Sequence, residues 1–352
     1  MGWINTYISV YIEDVTKAPK FTTKSKGEAF PLNPTILQVL FEPQVKLPID
    51  SEYYWQLLNE IEKSKIHPQI LFLMKGNGRF MDTPAFFQQV IIEKFQGVFY
   101  QNILIKSQTD LVLREFEHNG LDVIPLKGTL FSEEQFGHLG ARPTSDIDLL
   151  IKASDMDQAI ESVKQLGYKQ KEKQIPNHFH TSFSKYLPES KIPLTVELHW
   201  DILKKDTANL EITEFWKEGY LINDSLHVKQ LSDYHLFYTI CLHGWRHNMD
   251  SLKYFIDIIQ LLINLDIDFE RLLADAKRHK TKKRIIRTLS IVYEQLPILH
   301  SVKEFPYYIP TLFNKRNSAI NKYVDFIDYS FLSFDSPKHS IIELRNWLYL
   351  QK

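Results

Sequence analysis

Apolar and polar positions alternate along this chain in two rhythms, and the change between them divides it. From Tyr53 to Met74, Trp55, Leu58, Ile61, Ile70, Leu71 and Leu73 recur at helical spacing. Pro68 is expected to break this stretch in two, and Gly76-Asn77-Gly78 to stop it. A second helical pattern runs from Pro84 to Glu117, with Gly97 as its weak point and Asn119-Gly120 closing it. Before these, Thr6–Ile12 alternates loosely like a strand, and the stretch from Lys17 to Glu28 has no apolar period.

After residue 120 the rhythm shortens. Val123-Ile124-Pro125-Leu126 is a brief apolar run that ends in Lys127-Gly128-Thr129, and Leu130–Phe136 has room for one or two helical turns. Asp146-Ile147-Asp148-Leu149-Leu150-Ile151 reads as a strand with a polar start. Ser154–Leu166 reads as an amphipathic helix, with Ser154 as N-cap, Asp157 three residues on, and Gly167 as its end. His178–Tyr186 and Leu194–Trp200 alternate with period two. From Leu210 onward the pattern is almost wholly helical.

Composition narrows the class. A length of 352 residues suggests two or three domains at roughly 100–200 residues each. With 44 % apolar and 24 % charged residues the chain is an ordinary globular one, which excludes disordered and collagen-like proteins. A net charge of −1 argues against duplex DNA as the main ligand. One cysteine, Cys241, excludes an intrachain disulfide and a multi-cysteine zinc site, and fits a reducing compartment. Met1-Gly2-Trp3-Ile4-Asn5 shows no secretory pattern and matches a myristoylation signal poorly. No run reaches the ~18 apolar residues of a membrane helix. The expectation is a cytoplasmic protein without membrane contact.

The chemistry concentrates between residues 127 and 200. On a strand, residues i and i+2 share a face, so Asp146 and Asp148 set two carboxylates side by side. Such a pair repels itself unless a cation intervenes, and its oxygens suit Mg²⁺ or Mn²⁺. Asp-x-Asp alone also fits two solvated residues at a strand end. Glu197 lies in another alternating run, and if that strand pairs beside Asp146–Ile151, three carboxylates meet on one face. Two-metal phosphoryl transfer uses such an arrangement, with ions about 3.5–4 Å apart. Gly128-Thr129, where a strand gives way to a helix, allows backbone N–H groups to approach a phosphate.

In their order along the chain these residues resemble the DNA polymerase β-like nucleotidyltransferase superfamily, in which a Gly-Ser turn precedes a helix and Asp-x-Asp follows on the next strand. More narrowly, Leu126-Lys127-Gly128, Arg142-Pro143, Asp146-Ile147-Asp148-Leu149-Leu150, Gly167-Tyr168 and Glu197-Leu198-His199-Trp200, with His243, Lys253 and Asp257 downstream, resemble the bacterial "uncharacterised nucleotidyltransferase" family. The resemblance runs from about Trp55 to Leu299. Thr129 replaces the usual serine and keeps a hydroxyl, and the interval from Gly128 to Asp146 is longer than in compact members.

The resemblance implies an α+β fold: a small mixed-sheet nucleotidyltransferase core, 121–206, between a mostly helical region, 1–120, and a helical domain, 207–352. It implies transfer of a nucleoside monophosphate from an NTP to an acceptor — small molecule, peptide, protein or tRNA end — with release of pyrophosphate. Asp146, Asp148 and Glu197 would bind Mg²⁺ or Mn²⁺, with Glu197 also helping to deprotonate the acceptor. Lys127, Gly128, Thr129, Arg142 and Lys253 would hold the nucleotide, and His199, His243 and Asp257 would line the cleft. Two other readings compete: a catalytically silent nucleotide sensor and a histidine-rich metallohydrolase.

Three further patterns have blander readings. On a continuous helix from Tyr234 to Ile263, His243, Arg246, His247, Asp250, Lys253, Tyr254 and Asp257 form one polar stripe, facing either solvent or a cleft; an interruption at Asn248–Ser251 would void that arc. His243 and His247 have a zinc-compatible i, i+4 spacing but no His-Glu-x-x-His motif, and His178 and His180 lie two apart, so packed histidines are expected over a zinc site. The basic run Lys277–Arg287 suits a polyanion but is expected to be a solvated helix face. Finally, if Asp146 and Asp148 merely repel each other without metal, Asp→Asn changes there should leave stability equal or higher.

Overall fold

The computed structural model describes residues 34–171, 179–187, 192–222, 225–311, 313 and 319–350. The readings for Thr6–Ile12 and for the stretch from Lys17 to Glu28 lie outside the described residues, as does His178. Four helices come first: α1 (Ile36–Phe41), α2 (Ser51–Ser64), α3 (His67–Gly76) and α4 (Ala85–His118). Thr35 and Gln38 close a capping box on α1, and Asp50 accepts from Glu52 N at the start of α2. Pro68 stands in the first turn of α3, where its missing N–H costs nothing, so it opens a helix as well as separating two. Gly97 does not interrupt α4, whose 34 residues span about 50 Å. That helix bridges two cores: Phe87 and Ile91 join the helical one, while Ile105, Val112 and Phe116 join the one beneath the sheet.

The sheet has five strands, β1 (Val123–Pro125), β2 (Asp146–Ile151), β3 (Lys169–Gln170), β4 (His180–Lys185) and β5 (Leu194–His199), in the order β1-β2-β5-β4-β3. β2 and β5 run parallel and every other pair is antiparallel. α5 (Thr129–Phe136) links β1 to β2, and α6 (Met156–Gln165) links β2 to β3. Ser154 does not cap α6; its hydroxyl bonds Asp155 within a short 3₁₀ turn, Ala153–Asp155, that precedes the helix. One face of the sheet is apolar: Ile147, Leu149, Phe183, Val196 and Leu198 pack with Ala159 and Val163 of α6 and with α4. Alternation then forces Asp146, Asp148, Glu197 and His199 onto the opposite face.

Helices account for most of the rest: α7 (Ile212–Glu218), α8 (Asp233–Arg246), α9 (Leu252–Asn264), α10 (Phe269–Arg278), α11 (Lys282–Gln295), α12 (Leu299–Val302), α13 (Ala319–Ile327) and α14 (Pro337–Leu350). β6 (Tyr220–Leu221) and β7 (Lys229–Gln230) form a two-stranded sheet too short to show a period. The described residues are mostly helical around this small mixed sheet, an α+β fold. No described helix is long and apolar enough to cross a membrane.

The interruption foreseen at Asn248–Ser251 is present, and the expectation for the basic run is corrected. The pattern from Tyr234 to Ile263 is two helices: Asn248 and Met249 adopt φ of 50° and 51°, and Ser251 caps α9 by accepting from Lys253 N. The turn folds back so closely that a Cβ on Gly244 would lie 2.8 Å from Met249 Sδ. The run Lys277–Arg287 is no single solvated face, because Arg284 and Arg287 are buried. Arg287 reaches Asp325 at 2.8 Å and Asp328 at 3.2 Å.

Candidate active site

The site is built where β1 ends against β2. Leu126 N donates to the Asp148 carbonyl at 3.0 Å, which fixes Lys127 beside the acidic strand. Gly128 follows with φ 97° and ψ −139°, a conformation open to glycine and strained for any L side chain, and from it α5 starts. Thr129 thus opens a helix whose first N–H groups have no partner within it, a setting that favours an anion.

Strand register gathers the acids. Asp146 pairs with Thr195, Asp148 with Glu197 and Leu150 with His199. Directly paired residues share a face, so Glu197 stands beside Asp148 on the side that carries Asp146. Lys127 Nζ lies 2.8 Å from Asp148 Oδ2 and 3.8 Å from Asp146 Oδ2. His199 Nε2 lies 3.2 Å from Asp148 Oδ1 and 3.4 Å from Glu197 Oε2. Glu197 also meets His180 Nε2 at 3.7 Å and accepts from the Ser182 hydroxyl at 3.4 Å.

These contacts set the charges. Burial opposes ionisation of Asp148, but the Lys127 ammonium and the His199 hydrogen bond outweigh it and hold the carboxyl well below the usual range. Burial likewise opposes the charge on Lys127 and on His199, and the acids raise both above their ordinary values. The expected repulsion within the Asp pair is therefore answered by a cation of the protein's own, and losing the Asp148 charge is not relief but the loss of a partner.

Arg142 and Asp257 meet each other rather than a cavity. Arg142 Nε and Nη2 donate to the two Asp257 oxygens at 2.8 and 2.7 Å, each side chain is 1 % exposed, and the guanidinium lies 5.0 Å from the Phe131 ring centre. The pair ties the loop before β2 to α9. Arg142, expected against the nucleotide, and Asp257, expected in the cleft, are thus each engaged by the other and almost fully buried. Lys253, one turn earlier on α9, lies close enough to Lys127, Arg142 and Asp146 to feel their charge; burial first, then repulsion from Arg142 and Lys127, pulls it down to about 7. His243 is held well below its ordinary value by burial, then by Lys127, Arg246 and His247. It lines a small cavity of about 30 Å³ with Lys127, Asp148, His199 and Arg246. His247 instead stacks on Tyr254, ring centres 5.0 Å apart.

A larger cavity, about 420 Å³, also borders Lys127 and Asp148. Lys127, Gly128, Thr129, Asp146 and Asp148 form one wall, and Lys106, Asp110 and Arg114 of α4 another. The sequence reading overlooked those three, although their spacing at i, i+4 and i+8 marks one polar stripe on an otherwise mixed helix. It also left His180 outside the cleft.

Residues 57–297 match the family described as uncharacterised nucleotidyltransferase. No curated protein and no solved structure matches the chain. The matched stretch takes in well over half of the 352 residues, including Lys127, Gly128, Asp146, Asp148, Glu197 and His199, so this chain belongs to that nucleotidyltransferase family.

Proposed function

We propose that the protein moves a nucleoside monophosphate from an NTP to an acceptor hydroxyl and releases pyrophosphate. One observation carries the reading: the Asp148–Glu197 register, which sets three carboxylates on one sheet face beside a glycine-initiated helix. The residues fit a hard divalent cation. Asp146 and Asp148 supply oxygen donors suited to Mg²⁺ or Mn²⁺, and the Lys127 ammonium already lies against both. Bound there, such ions would offset charge developing on the transferring phosphoryl group.

The protein's own groups divide the remaining work. The Gly128-Thr129 turn and the N–H groups at the start of α5 receive the β and γ phosphates. Lys127 and Lys253 offset their charge, and Lys106 and Arg114 add positive charge on the facing wall of the cavity. Arg142 acts at one remove, since its clasp on Asp257 holds the loop that leads into Asp146. Glu197, on the acceptor side, takes the hydroxyl proton. Residues 121–206 make the catalytic core in this reading, and 207–352 the second wall of the cleft.

The test is thermal. NTP with Mg²⁺ should stabilise the protein by RT ln(1 + [L]/Kd), about 2.7 kcal/mol at 100 Kd, and EDTA should abolish the gain. Equal stabilisation in EDTA would refute the metal-bridged site. Pyrophosphate release with a competent acceptor establishes turnover, whereas NTP binding without release in a broad acceptor screen would favour the silent nucleotide sensor.

A further inference from the structure

The acidic face of the sheet holds more nitrogen than an all-oxygen cation site requires. His180 on β4 pairs directly with His199 on β5, and Ser182 pairs with Glu197. Glu197 and His199 are i and i+2, and Asp148 pairs with Glu197 from the other side. The pleat therefore places His180, Glu197, His199 and Asp148 on one face of three adjacent strands. Both imidazoles turn Nε2 toward the same carboxylate oxygen, Glu197 Oε2, at 3.7 and 3.4 Å, and His199 Nε2 stands 3.2 Å from Asp148 Oδ1. One donor atom each from His180, Glu197 and His199 all fall within 4.8 Å of one another.

These separations have a meaning in coordination chemistry. With bonds of 2.0–2.1 Å to nitrogen and oxygen, neighbouring ligands of a tetrahedral ion lie about 3.4 Å apart. The two imidazole-to-Glu197 separations, 3.7 and 3.4 Å, lie at or just above that value, and the third edge is within 4.8 Å. Two imidazoles and a carboxylate suit a borderline ion such as Zn²⁺, while Mg²⁺ prefers six oxygens and keeps its water. The scaffold is rigid, because the paired strands β4 and β5 hold all three residues. Access remains, since the His180 and Glu197 side chains are 17 % and 23 % exposed.

We propose that His180, Glu197 and His199 form a Zn²⁺ site beside the Asp146–Asp148 pair, with water as the fourth donor. The site shares Glu197 with the proposed reaction but does not depend on it, since a protein without turnover would bind the same ion.

Co²⁺ titration of the whole metal-stripped chain tests this, because four-coordinate Co²⁺ absorbs strongly in the visible and octahedral Co²⁺ weakly. The wild type should take up one Co²⁺ with the intense band, and one equivalent of Zn²⁺ should bleach it even in millimolar Mg²⁺. His180→Asn should weaken binding by at least about 10²-fold, beyond the usual loss for a residue that merely orients a ligand. Asp146→Asn should retain the band, because it leaves all three protein donors in place. Melting curves of each stripped variant separate lost ligation from lost fold, and the wild-type titration stands whether or not a variant folds. No intense band, bleaching by Mg²⁺ alone, or an unchanged band in folded His180→Asn would each overturn the proposal. Stabilisation by NTP with Mg²⁺, measured on the same samples, shows separately whether the nucleotidyl-transfer reading holds.

Discussion

Replacing Asp148 with asparagine keeps the side chain's shape and removes one negative charge from the centre of the site. That charge holds Lys127 Nζ at 2.8 Å and His199 Nε2 at 3.2 Å, and the Asp148 side chain is 4 % exposed. Removing one partner of a buried ion pair costs about 3–5 kcal/mol, because the other charge stays buried without its counterion. The lower end applies here, since Lys127 keeps Asp146 at 3.8 Å and is 18 % exposed. A loss of about 3 kcal/mol lowers the Tm of a chain this size by roughly 4 °C. The measurement is a urea titration and a melt at neutral pH in EDTA, so that no added cation takes over from Lys127. Acid supplies a second signature. The folded carboxyl sits well below its ordinary value of 3.8, so its stabilisation is complete above that pH and disappears as the pH falls further. The two proteins should therefore converge in stability in acid. Lys127→Met in the Asp148→Asn background should recover part of the loss, since no ammonium is then left behind. An Asp148→Asn protein as stable as the wild type in EDTA, or additivity with Lys127→Met, would refute the ion-pair argument. Turnover of the same variant should drop at least ~10²-fold if Asp148 holds a catalytic cation.

Two more outcomes follow from the site's other charges. Lys253, pulled down to about 7 from an ordinary 10.5, is neutral in the folded protein above that pH while the unfolded chain still holds the proton. Stability should rise with pH across that window and lose the rise in Lys253→Met, and NTP binding near pH 8 should take up close to about one proton, read calorimetrically in two buffers of different ionisation heat. At the Arg142–Asp257 tie, Arg142→Met should cost about 3–5 kcal/mol in urea unfolding, and adding Asp257→Leu should restore most of it; a double variant no more stable than the single would show that the clasp is not what fixes the loop.

How far the sequence foretells such a site depends on whether a feature is local. The strand Asp146–Ile151 is visible in its own residues, because apolar neighbours bracket two acids, and the structure gives it those bounds. Alternation also locates β4 and β5 to within two residues. Register is another matter. That Glu197 stands opposite Asp148, and His180 opposite His199, is decided by strand pairing across tens of residues, and no periodicity within either segment carries it. The sequence could therefore offer the third acid only as a condition and could not bring His180 into the cleft. The same limit explains the helical part. A basic run reads as a wet helix face until Asp325 and Asp328, some forty residues on, arrive as partners for Arg287. Arg142 reads as a phosphate ligand until Asp257, 115 residues away, claims it. In each case the apolar pattern shows which face is dry, and a buried polar group must then find its counterpart wherever the fold delivers one. Chemistry along a strand can be read as a set of residues; which of them touch, and so which ion they can hold, is a property of the sheet.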